Sequence, residues 1–327
     1  MIRDKRKLFA GAAVLSVLLC GCSIGGRKIV FTGGLSDRDV FRIGDDTCRL
    51  TEAKMYLSNY QNIYGKSYGI DLWEQSFRKQ ELEKYVKDIV LSEMTKIVCM
   101  DQLAKEQKIS LTKEERQNIK DAAKKYYQSL NEAELSYTDA SEADIVSMYE
   151  DYALADKVYR SLTMGVDEEV SDDEARIMEA AQIYVKEKKD ADTVAEKLSG
   201  QEDFAAVASN FNQKPAIEIT FGRGELPQEV EAAAFELDNG EISPCIAVED
   251  GFYFIKCVNK FNEELTDANK ANIVAAREKE AFDDVYEEFV RGLSSQLNES
   301  VWADITLVTD GTITTDSFFD IIDDAIH

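Results

Sequence analysis

Histidine is almost absent from this sequence: of 327 residues only His327, the last, is one. Zinc hydrolases need imidazole at the metal, and Ser-His-Asp hydrolases need it between acid and nucleophile, so both classes are excluded. The six cysteines include no Cys-x-x-Cys pair, which argues against thiol redox catalysis and cysteine-based zinc binding. Positive charge is scarce as well, with 38 Lys and Arg against 63 Asp and Glu and a net charge of −25. Such a surface repels nucleic acid and anionic lipid, so nucleic acid is not expected as a partner. No metal and no cofactor are expected. What is present is an ordinary hydrophobic fraction of 44% in a chain longer than the usual domain of about 100–200 residues, which implies two domains.

The start of the chain carries Arg3, Lys5, Arg6 and Lys7. An apolar run over 8–20 comes next, too short to span a bilayer comfortably and shaped like a signal-peptide core. Leu19-Cys20-Gly21-Cys22 then resembles the bacterial lipobox, in which the cysteine after a small residue is acylated and becomes the new amino terminus. The resemblance implies a signal peptide over 1–21, lipidation at Cys22 and a tether over 22–39, with a plain signal peptide or retained anchor as the alternative. Two acyl chains would hold the protein on the outer face of the membrane. Cys48, Cys99, Cys245 and Cys257 remain, in a compartment where disulfides form. Cys99 lies in a helical apolar pattern that suits a buried free thiol.

The region 40–170 is expected to be mainly helical. Val40 to Arg49 suits a short hairpin bending at Gly44-Asp45-Asp46, and Thr51 is placed to cap the first helix. Apolar residues recur at helical spacing over 51–64, 73–108, 112–130 and 140–164. Ile89, Val90, Met94, Ile97, Val98 and Met100 make one helix apolar on most sides, so it is the expected centre of that domain. Ser110 to Glu115 suits a capping segment before the next helix. Tyr56, Tyr60 and Tyr64 recur every four residues, a stripe that suits either a groove for unfolded chains or, for most of them, core packing. Beyond 263 the sequence is again helical to about 305, ending near Trp302, and 308–327 reads as a loosely held acidic tail.

The chain is organised around 221–257. Leu226, Val230, Ala233, Ala234 and Leu237 place apolar residues on one helical face, and Asn239-Gly240 stops that helix. Ile246 to Val248 and Phe252 to Val258 bracket an Asp-Gly, the pattern of an antiparallel hairpin. Cys245 and Cys257 fall on its two arms, where a cross-strand disulfide is one expectation.

In order, Phe221 before Gly222-Arg223-Gly224, a helix ending Phe235-x-Leu237, Asn239-Gly240-Glu241-Ile242-Ser243-Pro244 and Asp250-Gly251 before a strand resemble the second half of a parvulin-type (PpiC) peptidyl-prolyl isomerase domain. Upstream, 180–185 matches that family's first strand, and 191–211, with Phe204 and Ala208, its next two helices. The region 40–162, with Ile43-Gly44-Asp45-Asp46 and Ile109-Ser110-Leu111-Thr112-Lys113-Glu114-Glu115, resembles the amino-terminal region of SurA- and PrsA-like secretion chaperones. Together they imply an α+β architecture: a helical foldase domain over 40–170, a parvulin-like domain over 171–262 with an antiparallel sheet flanked by helices, and a segment over 263–307 returning to the helical domain.

An isomerase needs no nucleophile or metal. It lowers a barrier of about 20 kcal/mol to X-Pro rotation with an apolar seat for the ring and polar groups that favour the twisted amide. The resemblance places two histidines on adjacent central strands, and this chain has Gln182 and Tyr253 there. A third family position, cysteine or aspartate, falls near Lys214, and Glu218 stands where a pocket leucine is usual. Phe221, Leu226 and Val230 are the implied substrate-binding wall. The resemblance therefore implies a membrane-anchored extracytoplasmic foldase acting on unfolded or newly secreted polypeptides, with isomerase activity weak or lost. The alternatives are an active parvulin-type isomerase and an envelope lipoprotein serving as a docking module.

Overall fold

A computed structural model describes residues 34–68, 73 and 79–327. The signal-like segment, Cys20 and Cys22 lie outside the described residues. No helix among those described is long and apolar enough to cross a membrane. The chain forms two compact units, one from residues up to 165 together with 279–327, the other from 166–278.

In the first unit, β1 (Asp39–Ile43) and β2 (Asp46–Arg49) form the expected hairpin, with Gly44 at φ +55° in the bend. A third strand, β7 (Ser295–Leu297), pairs antiparallel with β1 from far along the chain, giving the order β2-β1-β7. Helix α1 (Leu50–Tyr68) starts one residue before Thr51, which lies inside its first turn; the Leu50 N–H instead donates to the Arg38 carbonyl at 2.8 Å. Next along the chain are α2 (Lys79–Gln107), α3 (Lys113–Ser129), α4 (Glu132–Thr138) and α5 (Glu142–Thr163). Thr112 caps α3 in a reciprocal box with Glu115, as its spacing implies. In α2, Val86, Val90, Met94, Ile97, Cys99, Met100 and Leu103 are all buried in one core. Cys99 is a free thiol there, its pKa pushed up to about 11 by burial.

The acidic tail is not loosely held. Helix α12 (Phe318–Ile326) buries Phe318, Ile321 and Ile322, which fall at the i, i+3, i+4 spacing of one helical face. Phe318 meets Tyr149 and Tyr126 edge-on at 4.7 and 5.2 Å, and its backbone N–H donates to buried Asn59. Before it, buried Glu134 accepts the N–H groups of Thr314 and Thr315 at 2.8 and 2.7 Å and the Thr315 hydroxyl at 2.7 Å. A carboxylate thus replaces water for three donors of this segment. The tyrosine stripe belongs to the same packing: Tyr56 and Tyr60 lie against Phe319 at 5.8 and 5.3 Å.

The same unit encloses carboxylates that lack countercharge. Asp101 on α2 is buried with Oδ1 unpaired, and its pKa is pushed up to about 9 by burial and then by the charge of Asp151 on α5. Burial also lifts Glu52 to about 7 and Asp151 to about 6. Lys105 opposes the rise at Asp101 and Asp151 but pairs with Asp46 at 2.8 Å.

The second unit begins with α6 (Asp172–Ala175) and holds one antiparallel sheet in the order β4-β3-β6-β5. Its strands are β3 (Met178–Val185), β4 (Glu218–Phe221), β5 (Ile246–Val248) and β6 (Gly251–Asn259). Alternation splits the sheet into two faces. Ile183, Val185 and Phe254 pack with α7 (Lys188–Ser199) and α8 (Phe204–Phe211), whereas Ala180, Tyr184, Tyr253 and Ile255 pack with α9 (Gln228–Phe235). Helix α10 (Glu263–Arg291) leads out of this unit, and α11 (Glu299–Asp304) belongs to the first. The chain is therefore α+β, with helices flanking an antiparallel sheet.

The string 239–244 has a structural role. Gly240 takes φ +87°, its N–H donates to the Cys257 carbonyl at 2.8 Å, and Ser243 pairs with Ile255 through both its N–H and its hydroxyl. These bonds lengthen the sheet edge alongside β6. They also explain why the expected disulfide is absent: Cys245 and Cys257 are free thiols. The register Ile246↔Tyr253 sets Cys245 opposite Phe254, while Cys257 lies buried opposite Ala180.

Candidate functional site

Strands β3 and β6 run side by side, so residues two apart along each reach the same surface. Gln182 pairs with Ile255 and Tyr184 with Tyr253, which puts Gln182, Tyr184 and Tyr253 on the face covered by α9. Phe221 and Val230 share that cluster and Leu226 packs at its margin. The five residues implied as site residues are therefore brought together. They are not alike in exposure: Phe221 and Val230 are 2% and 0% exposed and act as core, whereas Leu226 is half-buried.

Gln182 is buried, and its Nε2 donates to the Ala216 carbonyl at 2.9 Å while its backbone N–H donates to Ile217. The side chain thus holds the loop after α8 against β3. Tyr253 is buried beside Tyr184, ring centroids 4.8 Å apart and planes at 52°. The Tyr184 hydroxyl donates to the Asp250 carbonyl at 2.7 Å. Gly251 permits this approach, since a Cβ there would meet the Val185 carbonyl at 2.6 Å and the Tyr184 ring at 2.7 Å.

Lys214 lies above the two rings, its Nζ 4.7 Å from the Tyr184 centroid and 6.0 Å from that of Tyr253. The nearby Tyr253 phenol, and then Asp250, hold the ammonium above its usual pKa. Asn212 fixes the loop: Oδ1 accepts the Tyr184 N–H at 3.0 Å and Nδ2 donates to the Lys214 and Ala216 carbonyls at 3.0 and 3.1 Å. Glu218 is not in the pocket. It is exposed at the start of β4 opposite Ala181, whose methyl packs on the other face of the sheet.

Two members of this site are not singled out by the sequence. Tyr184 is signalled by its i, i+2 relation to Gln182, and Asn212 by its place as the polar residue ending α8. A cleft of about 350 Å³ opens elsewhere in the unit, lined by Arg176, Phe235, Leu237, Lys260 and Phe261 among others, and none of the five implied site residues borders it. Among the described residues no cluster of three metal-ligating side chains occurs.

Residues 166–272, nearly the whole second unit, match the family described as the PPIC-type PPIASE domain. The foldase protein PrsA of Caldanaerobacter subterraneus subsp. tengcongensis is 24% identical over 325 residues, covering 90% of this chain and 96% of that protein. The chain is PrsA-like and carries a parvulin-type domain. The foldase protein PrsA of Clostridium acetobutylicum is 25% identical to this PrsA-like chain, covering 75% of it and 81% of the relative. A crystal structure of PrsA from Bacillus cereus is 21% identical, with a TM-score of 0.39 over 76% of this chain and 93% of that one.

This face offers two phenol rings, an ammonium and an apolar margin at Leu226. It has no imidazole, and its one amide side chain is engaged with the loop.

Proposed function

We propose that this protein is a lipid-anchored, extracytoplasmic foldase that assists folding of secreted proteins, with prolyl isomerase activity weak or lost. The carrying observation is the state of the two central positions: Gln182 is committed to the Ala216 carbonyl and Tyr253 is covered by Tyr184 and Lys214. Turning an X-Pro amide requires hydrogen bonds that strengthen as the amide twists, and groups already engaged with the protein supply few. The foldase role is supported by the likeness to PrsA proteins, and anchoring by the basic start, the apolar run and Cys22.

A second reading, an active parvulin isomerase, is favoured by the ammonium of Lys214 above the floor, since its N–H groups can donate to a substrate carbonyl. Two assays on the full chain separate the readings. Suppressed aggregation of several unrelated unfolded proteins, with slow turnover of X-Pro peptides, is the expected result. Brisk turnover abolished by Leu226→Ala would replace the first reading by the second. Binding of one stoichiometric partner with no effect on unfolded proteins would instead leave the chain a docking module.

A further inference from the structure

The start of β3 and the end of β6 meet at one end of the sheet, where Glu179 pairs with Asn259. Just beyond that pair stand Arg176, which follows α6, and Lys260 with Phe261, which follow β6. Together with Phe235, the last residue of α9, and Leu237 after it, they line the cleft of about 350 Å³.

Two contacts orient the Arg176 guanidinium: Nε donates to the Lys260 carbonyl at 2.8 Å, and the group lies over the Phe235 ring, 4.9 Å from its centroid. Its two terminal nitrogens have no hydrogen bond or ion pair among the described residues. The other cations around the cleft are closed. Lys260 meets Asp238 at 2.5 Å, Lys270 meets Asp172 at 2.6 Å, and Arg223, which also lies over Phe235, meets Asp173 at 2.7 Å. Those pairs engage three of the four carboxylates that line the cleft; the fourth, Glu236, is exposed and makes no ion pair among the described residues.

What remains open is a planar fork of N–H donors beside an apolar surface at Leu237 and Phe261, the latter 38% exposed. Such a fork binds a carboxylate through two parallel hydrogen bonds. In an extended chain successive side chains point to opposite sides, so an internal acidic residue cannot enter together with its apolar neighbour. A carboxyl-terminal residue carries both groups on a single Cα. The cleft lies near the lower end of the range for ligand sites, about 300–1,000 Å³, and suits one such residue.

We propose that this cleft binds the free carboxyl terminus of a client polypeptide ending in a large apolar residue, the carboxylate on Arg176 and the side chain against Leu237 and Phe261. The choice of occupant rests on the foldase reading, while the site itself lies apart from the β3–β6 face.

The test uses the full chain and three fluorescein-labelled peptides, with binding read by anisotropy: Gly-Ser-Ala-Ser-Phe as the free acid, the same peptide amidated, and amidated Gly-Ser-Phe-Glu-Ser. The free acid should bind about tenfold tighter than its amide, the scale of hydrogen bonds to a charged group, and tighter than the internal Phe-Glu peptide. Arg176→Gln should erase the preference for the acid, and Phe261→Ala should weaken acid and amide alike. Glu236→Lys, at an exposed position, should enlarge the preference by up to about fivefold. Equal affinity for acid and amide overturns the inference, as does a preference that survives in Arg176→Gln. If Arg176→Gln fails to fold, Glu236→Lys decides, and an unchanged preference there overturns it. Internal Phe-Glu bound as tightly as the free acid rules out a carboxyl-terminal occupant. Absence of peptide binding while aggregation of unfolded proteins is still suppressed sinks this inference alone, whereas loss of both removes the foldase reading with it.

Discussion

Replacing Asp101 by Asn should stabilise the helical unit, and only above acidic pH. Asp101 is 8% exposed, has an unpaired Oδ1 and keeps its proton to about pH 9, against 3.8 for an unperturbed carboxyl. Its folded pKa lies above the unfolded one, so folding stability is full below about pH 4 and is lost as pH rises toward 9, the unfolded chain ionising while the folded one cannot. At pH 7 the difference spans about three pH units at 1.36 kcal/mol each, or about 4 kcal/mol at most. Part of that is shared with Asp151, whose charge contributes to the rise. Asn keeps the volume and abolishes the titration, so Asp101→Asn should gain about 2–4 kcal/mol at pH 8, or about 5–12 °C in the melting of a unit this size. At pH 4.5 the two proteins should melt within a degree or two of each other. Calorimetry of the full chain at both values, tracking the transition of the helical unit, reads this directly. A loss of stability of equal size at both pH values would refute the reasoning, because it would mean that Asp101 contributes hydrogen bonds that Asn cannot make.

Glu134→Ala should destabilise the helical unit by about 2–4 kcal/mol, since three donors of Thr314 and Thr315 lose one charged acceptor; urea unfolding measures it, and an unchanged midpoint would mean that water replaces the carboxylate. Gln182→His with Tyr253→His should raise X-Pro turnover more than the two single changes combined, because the two positions lie on one face and each group orients the other through a shared network; strictly additive rates would deny that coupling. Cys22→Ala should release the protein from membranes and remove the mass of the acyl chains, and a membrane-bound variant of unchanged mass would rule out lipidation there.

Local pattern carries local structure, and the success and failure of the sequence reading divide along that line. The α3 cap, the β5–β6 hairpin and the buried α2 are legible because each depends on neighbours within about ten residues: a Thr three before a Glu, an Asp-Gly between β-branched runs, apolar residues at helical spacing. Strand β7 is not legible. It is three residues long, Ser-Gln-Leu, and exists because β1, more than 250 positions earlier, has a free edge that accepts it. Strand β4 likewise owes its conformation to β3, and the sequence misplaces Glu218 in the pocket because a strand's alternation cannot be phased before the strand is recognised. The tail shows the reverse error. Its aspartates suggest a solvated end, but Phe318, Ile321 and Ile322 already have the spacing of a buried face, and Glu134, which anchors the segment, lies some 180 residues away.

At the site the same division has a chemical consequence. Gln182 and Tyr253 can be found by matching motifs, since each sits within a recognisable string. Their surroundings are set by two residues that no string announces: Tyr184, which reaches the face through strand alternation, and Asn212, which grips both β3 and the loop that carries Lys214. No histidine lies on this face, and the ammonium of Lys214 keeps its charge throughout the neutral range. On the foldase reading proposed above, this ammonium therefore adds no dependence of client binding on pH between 5 and 8.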